Sequence, residues 1–151
     1  GVTSFFAGDA WSPRPTLATL ATAMDVGSAS NMERVLHLFG GEAETRSALS
    51  AHRVHDDEIR HVIRTGPAEW GEVWDPHTAV AIAARQRLGT PHWIVVSTAH
   101  PAKFEGVVEP LIGRPIPIPA ELARILHRPS HAEEIEPDLD AFRAALEDAR
   151  G

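Results

Sequence analysis

Apolar positions recur along the chain in short helical registers and, once, as an unbroken β-branched run. Val35, Leu36, Leu38 and Phe39 follow Ser30-Asn31-Met32-Glu33 and stop at Gly40-Gly41. Ser30 can accept from the third helical amide while Glu33 reaches back, so the spacing predicts a helix of about ten residues, opened by a capping box and closed by a left-handed glycine. Two more helices are expected near 42–50 and 56–65, with Gly66-Pro67 closing that region. Asp75-Pro76-His77-Thr78 offers an N-cap and a proline suited to the first helical position. Thr78 to Leu88 is alanine-rich and apolar on most sides, which predicts a buried helix ending near Gly89. After Pro91, Trp93-Ile94-Val95-Val96-Ser97 predicts a buried strand. Thr98-Ala99-His100-Pro101 leads into another helical pattern, residues 113–120 mix proline with isoleucine as an extended connector, and 137–149 predicts a final amphipathic helix. Residues 1–28, broken at Trp11-Ser12-Pro13-Arg14-Pro15, read as an irregular approach segment.

One strand among roughly six helices is an uneven inventory, because a parallel strand needs neighbours to pair its backbone groups. The expected class is therefore α/β, helix-rich, with few strands and an incomplete sheet. A strand followed by a turn and a helix is half of a βαβ unit, whose ligands bind beyond the carboxyl ends of the strands. The length, 151 residues, fits a single domain over 1–151.

Composition narrows the functional classes. A chain that is 43% hydrophobic and 23% charged carries enough apolar surface to fold. The absence of cysteine excludes a disulfide scaffold and thiolate metal sites, and is compatible with a cytoplasmic location. A formal charge of -7 argues against nucleic acid and anionic lipid as partners. The longest apolar run, Ala79 to Ala84, is far short of a membrane span. The opening Gly-Val-Thr-Ser-Phe-Phe has no secretory pattern and no initiator methionine, which raises a cut end at Gly1 as one reading beside a free-standing protein.

Several chemical readings compete. His52, His55 and His61 lie among Asp56, Asp57 and Glu58, but the set reads most simply as a solvated helix face, and no His-Glu-x-x-His spacing occurs. No metal site is expected. Ser97, His100 and Asp75 are the residue types of a hydrolase, yet Ser97 lacks the Gly-x-Ser-x-Gly context. No glycine-rich phosphate loop is present. The cluster Ser97 to Phe104 stands above these, since a hydroxyl at the carboxyl end of a strand can meet a ring nitrogen or phosphate of a ligand. Thr98 taken alone reads more simply as a cap for the following helix.

Ala21-Thr22-Ala23-Met24-Asp25-Val26, then Ala29-Ser30-Asn31-Met32-Glu33-Arg34, then Asp75-Pro76-His77-Thr78-Ala79-Val80, then Thr98-Ala99-His100-Pro101-Ala102-Lys103-Phe104 occur in this order. Together they resemble the C-terminal portion of threonine synthase of the bacterial and fungal type, from about Phe5 to about Arg128. The resemblance implies a fold-type II enzyme using pyridoxal 5'-phosphate to convert O-phosphohomoserine and water into threonine and phosphate. It implies that Thr98 faces the pyridine nitrogen of the cofactor. It also implies substrate contacts from Ser30, Asn31, Arg34, His77, Thr78 and Lys103, the first three fitting a phosphate through helix amides and an arginine fork. A capped helix with a surface arginine would use Ser30, Asn31 and Arg34 equally well.

Two departures qualify what the resemblance implies. The family's cofactor-binding lysine belongs to an early motif, whereas the single lysine here is Lys103, to which the family gives no such role. The expected partner is therefore an N-terminal segment of the same enzyme, and the isolated chain is expected to be inactive. Ala21-Thr22-Ala23 and Gly27-Ser28-Ala29 also depart from the family's usual stretches, which leaves open a related phospho-lyase. A stand-alone, non-catalytic binding module on the same fold is the alternative from another class.

Overall fold

The computed structural model describes residues 1–89, 92–130 and 132–149, so the break at Pro91 lies outside the described residues. Contacts divide the chain into two compact units, 1–117 and 118–151. The first holds helices α1 (Val2–Phe6), α2 (Met32–Phe39), α3 (Glu42–Ala48), α4 (Asp56–Glu69), α5 (Pro76–Leu88) and α6 (Glu105–Ile112), with short 3-10 turns at Thr22–Met24 and Pro101–Phe104. The second holds α7 (Ala120–Leu126) and α8 (Leu139–Asp148).

The core of the first unit forms where α4 packs on α5 and α6. Ile59, Val62 and Ile63 of α4 meet Ala79, Ile82 and Ala83 of α5 and Val108 of α6, with Ala21 and Ile116 closing the cluster. The spacings 59, 62, 63 and 79, 82, 83 place each set on one helical face, and the alanines let α5 approach closely. Each fully buried branched side chain contributes on the order of 1.5–3 kcal/mol. A second anchor lies at the start of the chain, where Arg46 of α3 stacks 4.1 Å over the buried Phe5 ring and donates to the carbonyls of Phe5 and Asp9, each at 2.9 Å.

Helix boundaries follow local chemistry. Gly40 (φ 84°) and Gly89 (φ 65°) end α2 and α5 in the left-handed conformation, as their positions predict. Asp75 caps α5 with Pro76 at the first turn, also as predicted. The Ser30–Glu33 capping box does not form: Asn31 is the N-cap of α2 and makes no side-chain cap bond. The equivalent reach-back occurs at α4, where Glu58 accepts the His55 N–H at 2.8 Å. Helix α4 also runs through Gly66-Pro67 instead of ending there. The cause is packing, because Trp74 lies so close that a Cβ at Gly66 would sit 2.7 Å from Trp74 Cδ1. In the second unit Asp138 caps α8, accepting from the Asp140 and Ala141 amides at 2.9 Å each. Neither α1 nor α7 is legible in the hydrophobic pattern.

The predicted strand at Trp93–Ser97 is corrected. Among the described residues the chain is helix-rich and contains no strand, and residues 92–98 belong to no regular element. A strand exists only through a partner ladder, and none of the described segments supplies one. Val95 packs on the core, while Trp93, Ile94 and Val96 on either side of it are exposed, Ile94 to 94%.

Candidate functional site

The N-terminus of α5 gathers the motifs that are separate in sequence. Asp75 is buried and accepts the His77 amide at 2.9 Å and the Thr78 amide at 3.4 Å. The same carboxylate takes the His77 Nδ1–H at 3.1 Å and the Thr78 hydroxyl proton. The other ring nitrogen of His77, Nε2, accepts the Ala23 amide N–H at 3.0 Å. That acceptance leaves the ring proton on Nδ1, facing the carboxylate, so two neighbours fix the tautomer. Phe104 packs against the imidazole with ring centroids 4.9 Å apart. One buried histidine thus ties the 3-10 turn at Thr22–Met24 and the turn at Pro101–Phe104 to the head of α5.

The candidate residues distribute around this knot. His77 and Thr78 are buried, with their polar atoms engaged by Ala23, Asp75 and Ser97. Ser97 Oγ lies 3.3 Å from Thr78 Oγ1, which brings the segment ending in Thr98 to the same helix end. Thr98 is exposed. Lys103 is exposed on the turn that carries Phe104, its amide donating to the His100 carbonyl at 3.0 Å. Ser30 and Asn31 are exposed and line a cavity of about 270 Å³ together with Val2, Met24, Val26 and Ala29. Met24 belongs to the turn whose Ala23 is bonded to His77, so this cavity adjoins the knot through a single turn. Arg34 is exposed on α2 and makes no ion pair among the described residues.

Other readings lose their geometry. Among the described residues no group of three histidine, aspartate or glutamate side chains is placed to hold a metal ion. Asp75, Ser97 and His100 line one cavity of about 400 Å³, but Asp75 is bonded to His77 and not to His100. His100 Nδ1 instead accepts from the Ala102 amide at 3.1 Å. No relay of a hydrolase is formed. No helix among the described residues is long and apolar enough to cross a membrane. Sequence reading missed Ala23 and Phe104, since a backbone amide and an aromatic carry no signature of the histidine they meet.

The family described as "Threonine synthase, C-terminal" matches residues 78–146. Threonine synthase of Escherichia coli K12 is 35% identical over 138 residues, covering 90% of this chain and 32% of the relative. That of Serratia marcescens is 36% identical over 124 residues, covering 81% and 29%. The crystal structure of the E. coli enzyme superposes with a TM-score of 0.80 at 33% identity, over 98% of this chain and 35% of that one. A pyridoxal-phosphate-bound threonine synthase from Brucella melitensis shares the fold, with a TM-score of 0.69 at 24% identity. The chain spans about a third of the length of the relatives it matches. Sequence, family match and backbone agree that this chain resembles the C-terminal portion of threonine synthase.

Proposed function

We propose that this chain is the C-terminal portion, 1–151, of a cytoplasmic pyridoxal-phosphate enzyme that converts O-phosphohomoserine and water into threonine and phosphate. The observation that carries the reading is the knot at the head of α5, which draws the family-like motifs at 21–26, 75–80 and 98–104 toward one place. The exposed Thr98 hydroxyl, neutral and able to donate or accept, fits a pyridine nitrogen. When bound, the cofactor supplies an electron sink for the substrate's carbon chemistry. Thr98 would hold the ring nitrogen without delivering a full charge to it. Ser30, Asn31 and Arg34 would take the substrate phosphate, with Asn31 at the helix start and Arg34 offering a guanidinium fork that makes no ion pair among the described residues. Lys103 would add a positive charge on the substrate side. His77 and Thr78 would act from beneath, by holding the 22–24 turn and Ser97.

The lysine that anchors the cofactor would come from polypeptide outside these 151 residues, since Lys103 is the single lysine here. The same outside segment would pair the run at 93–97 and complete an α/β sheet. The test begins with the coding DNA upstream of the Gly1 codon. An in-frame extension carrying a lysine motif and a glycine-rich loop is expected, and the extended polypeptide should release phosphate from O-phosphohomoserine when pyridoxal phosphate is added. Thr98→Val should shift the cofactor's absorption spectrum. An extended polypeptide that binds the cofactor but leaves O-phosphohomoserine untouched would point to a related phospho-lyase, and no cofactor binding at all would leave a non-catalytic module.

A further inference from the structure

We infer that Asp75, acting through Thr78 and Ser97, is a positioning residue for the Thr98 hydroxyl. The inference rests on the reading of Thr98 given above. A carboxylate can only accept, and Asp75 takes the one hydroxyl proton that Thr78 owns. Thr78 Oγ1 therefore meets Ser97 Oγ, 3.3 Å away, as an acceptor, and Ser97 is the donor. The proton order along this row is fixed from its buried end: Ser97 to Thr78 to Asp75. Asp75 itself is held by the His77 and Thr78 amides and by His77 Nδ1, so it cannot turn away without stranding several polar groups.

The consequence falls on the next residue. Ser97 and Thr98 are consecutive, so a latch on the Ser97 hydroxyl holds the stretch of backbone from which the exposed Thr98 hydroxyl projects. At 3.3 Å the Ser97 contact is at the long end for a hydroxyl pair, which suits a latch that locates the segment end and contributes little binding strength.

The experiment measures the order of the Thr98 backbone by NMR, through the relaxation of its amide nitrogen and the coupling between its amide and α protons, on the 151-residue chain. The wild-type chain should be ordered at residue 98. Ser97→Ala, at an exposed position, and Thr78→Val should lose that order, while Thr78→Ser, which keeps the hydroxyl, should retain it. Amide shifts of α5 check that each variant keeps its fold. A Thr98 backbone already averaged in the wild-type chain, or unchanged relaxation in Ser97→Ala, would overturn the inference. Because no cofactor enters this readout, its failure is distinguishable from failure of Thr98→Val to alter the cofactor spectrum.

Discussion

Ala23 and His77 stand 54 residues apart in sequence and are joined by one hydrogen bond, 3.0 Å from the Ala23 amide to Nε2 of the imidazole. The bond has a second end, since the same ring donates from Nδ1 to Asp75. His77→Leu would keep much of the volume but orphan the Ala23 amide and remove one donor from a buried carboxylate. The expected loss is about 2–3 kcal/mol of unfolding free energy, read by urea titration. Hydrogen exchange at Ala23 supplies the specific check. If its amide exchanges no faster in the variant, the turn does not depend on His77.

Gly66 faces Trp74 with no room for a side chain. A Cβ there would lie 2.7 Å from Trp74 Cδ1 and 2.9 Å from the Glu72 carbonyl oxygen, so Gly66→Ala must displace a ring or a backbone. In an open helical site the same change would stabilise by up to about 1 kcal/mol. Here the sign should reverse, with a cost of about 1–3 kcal/mol from overpacking. A lower urea midpoint, together with changed Trp74 fluorescence, is the expected result; a raised midpoint would mean that the ring moves aside freely.

Glu58 links two helices. Its carboxylate accepts from the Arg87 guanidinium of α5 and from the His55 amide at the start of its own helix, α4. The Arg87 hydrogen bond first, and the His55 amide second, hold its carboxyl below the usual glutamate range. A carboxyl depressed in the folded state stabilises that state above its unfolded pKa, and the contribution is lost as the pH falls through the folded value. Glu58→Gln should therefore destabilise the chain near neutral pH. The gap to wild type should close as the solution is acidified below the ordinary glutamate range. Melting curves taken across that window test it, and a gap constant with pH would mean that ionisation of Glu58 does not contribute.

How much of this was legible from sequence depends on the range of the interaction. Asp75, Pro76, Gly40 and Gly89 act within a turn of themselves, and their caps read directly from their spacing. The Ser30–Glu33 box failed because α2 starts one residue later than its spacing assumes, with Asn31 at the cap position and no side-chain cap bond formed. Gly66-Pro67 read as a helix end because local propensity ignores Trp74, which fills the space beside Gly66 from eight residues downstream. The order of the motifs at 21–26, 75–80 and 98–104 was legible, yet what unites them was not. Their junction is made by the amide of Ala23, the ring of Phe104 and the hydroxyl of Ser97, groups whose partners lie far along the chain.

Ile94 and Val108 make a final contrast. Val108 of α6 is wholly buried in the core cluster, whereas Ile94 is 94% exposed. Val108→Ala should cost about 2 kcal/mol, because the cavity it leaves lies in a core built on Ile59, Val62 and Ile63 of α4 and can collapse only in part. Ile94→Lys should change the stability of the chain by less than about 0.5 kcal/mol, since its side chain already meets water. In the extended polypeptide the proposed sheet would cover that position, and the same lysine would then carry a charge into an apolar interface. The expected outcome is a variant as stable as wild type over 1–151 yet markedly destabilised in the longer chain, read by urea titration of both. Equal stability in both contexts would mean that no sheet covers residue 94.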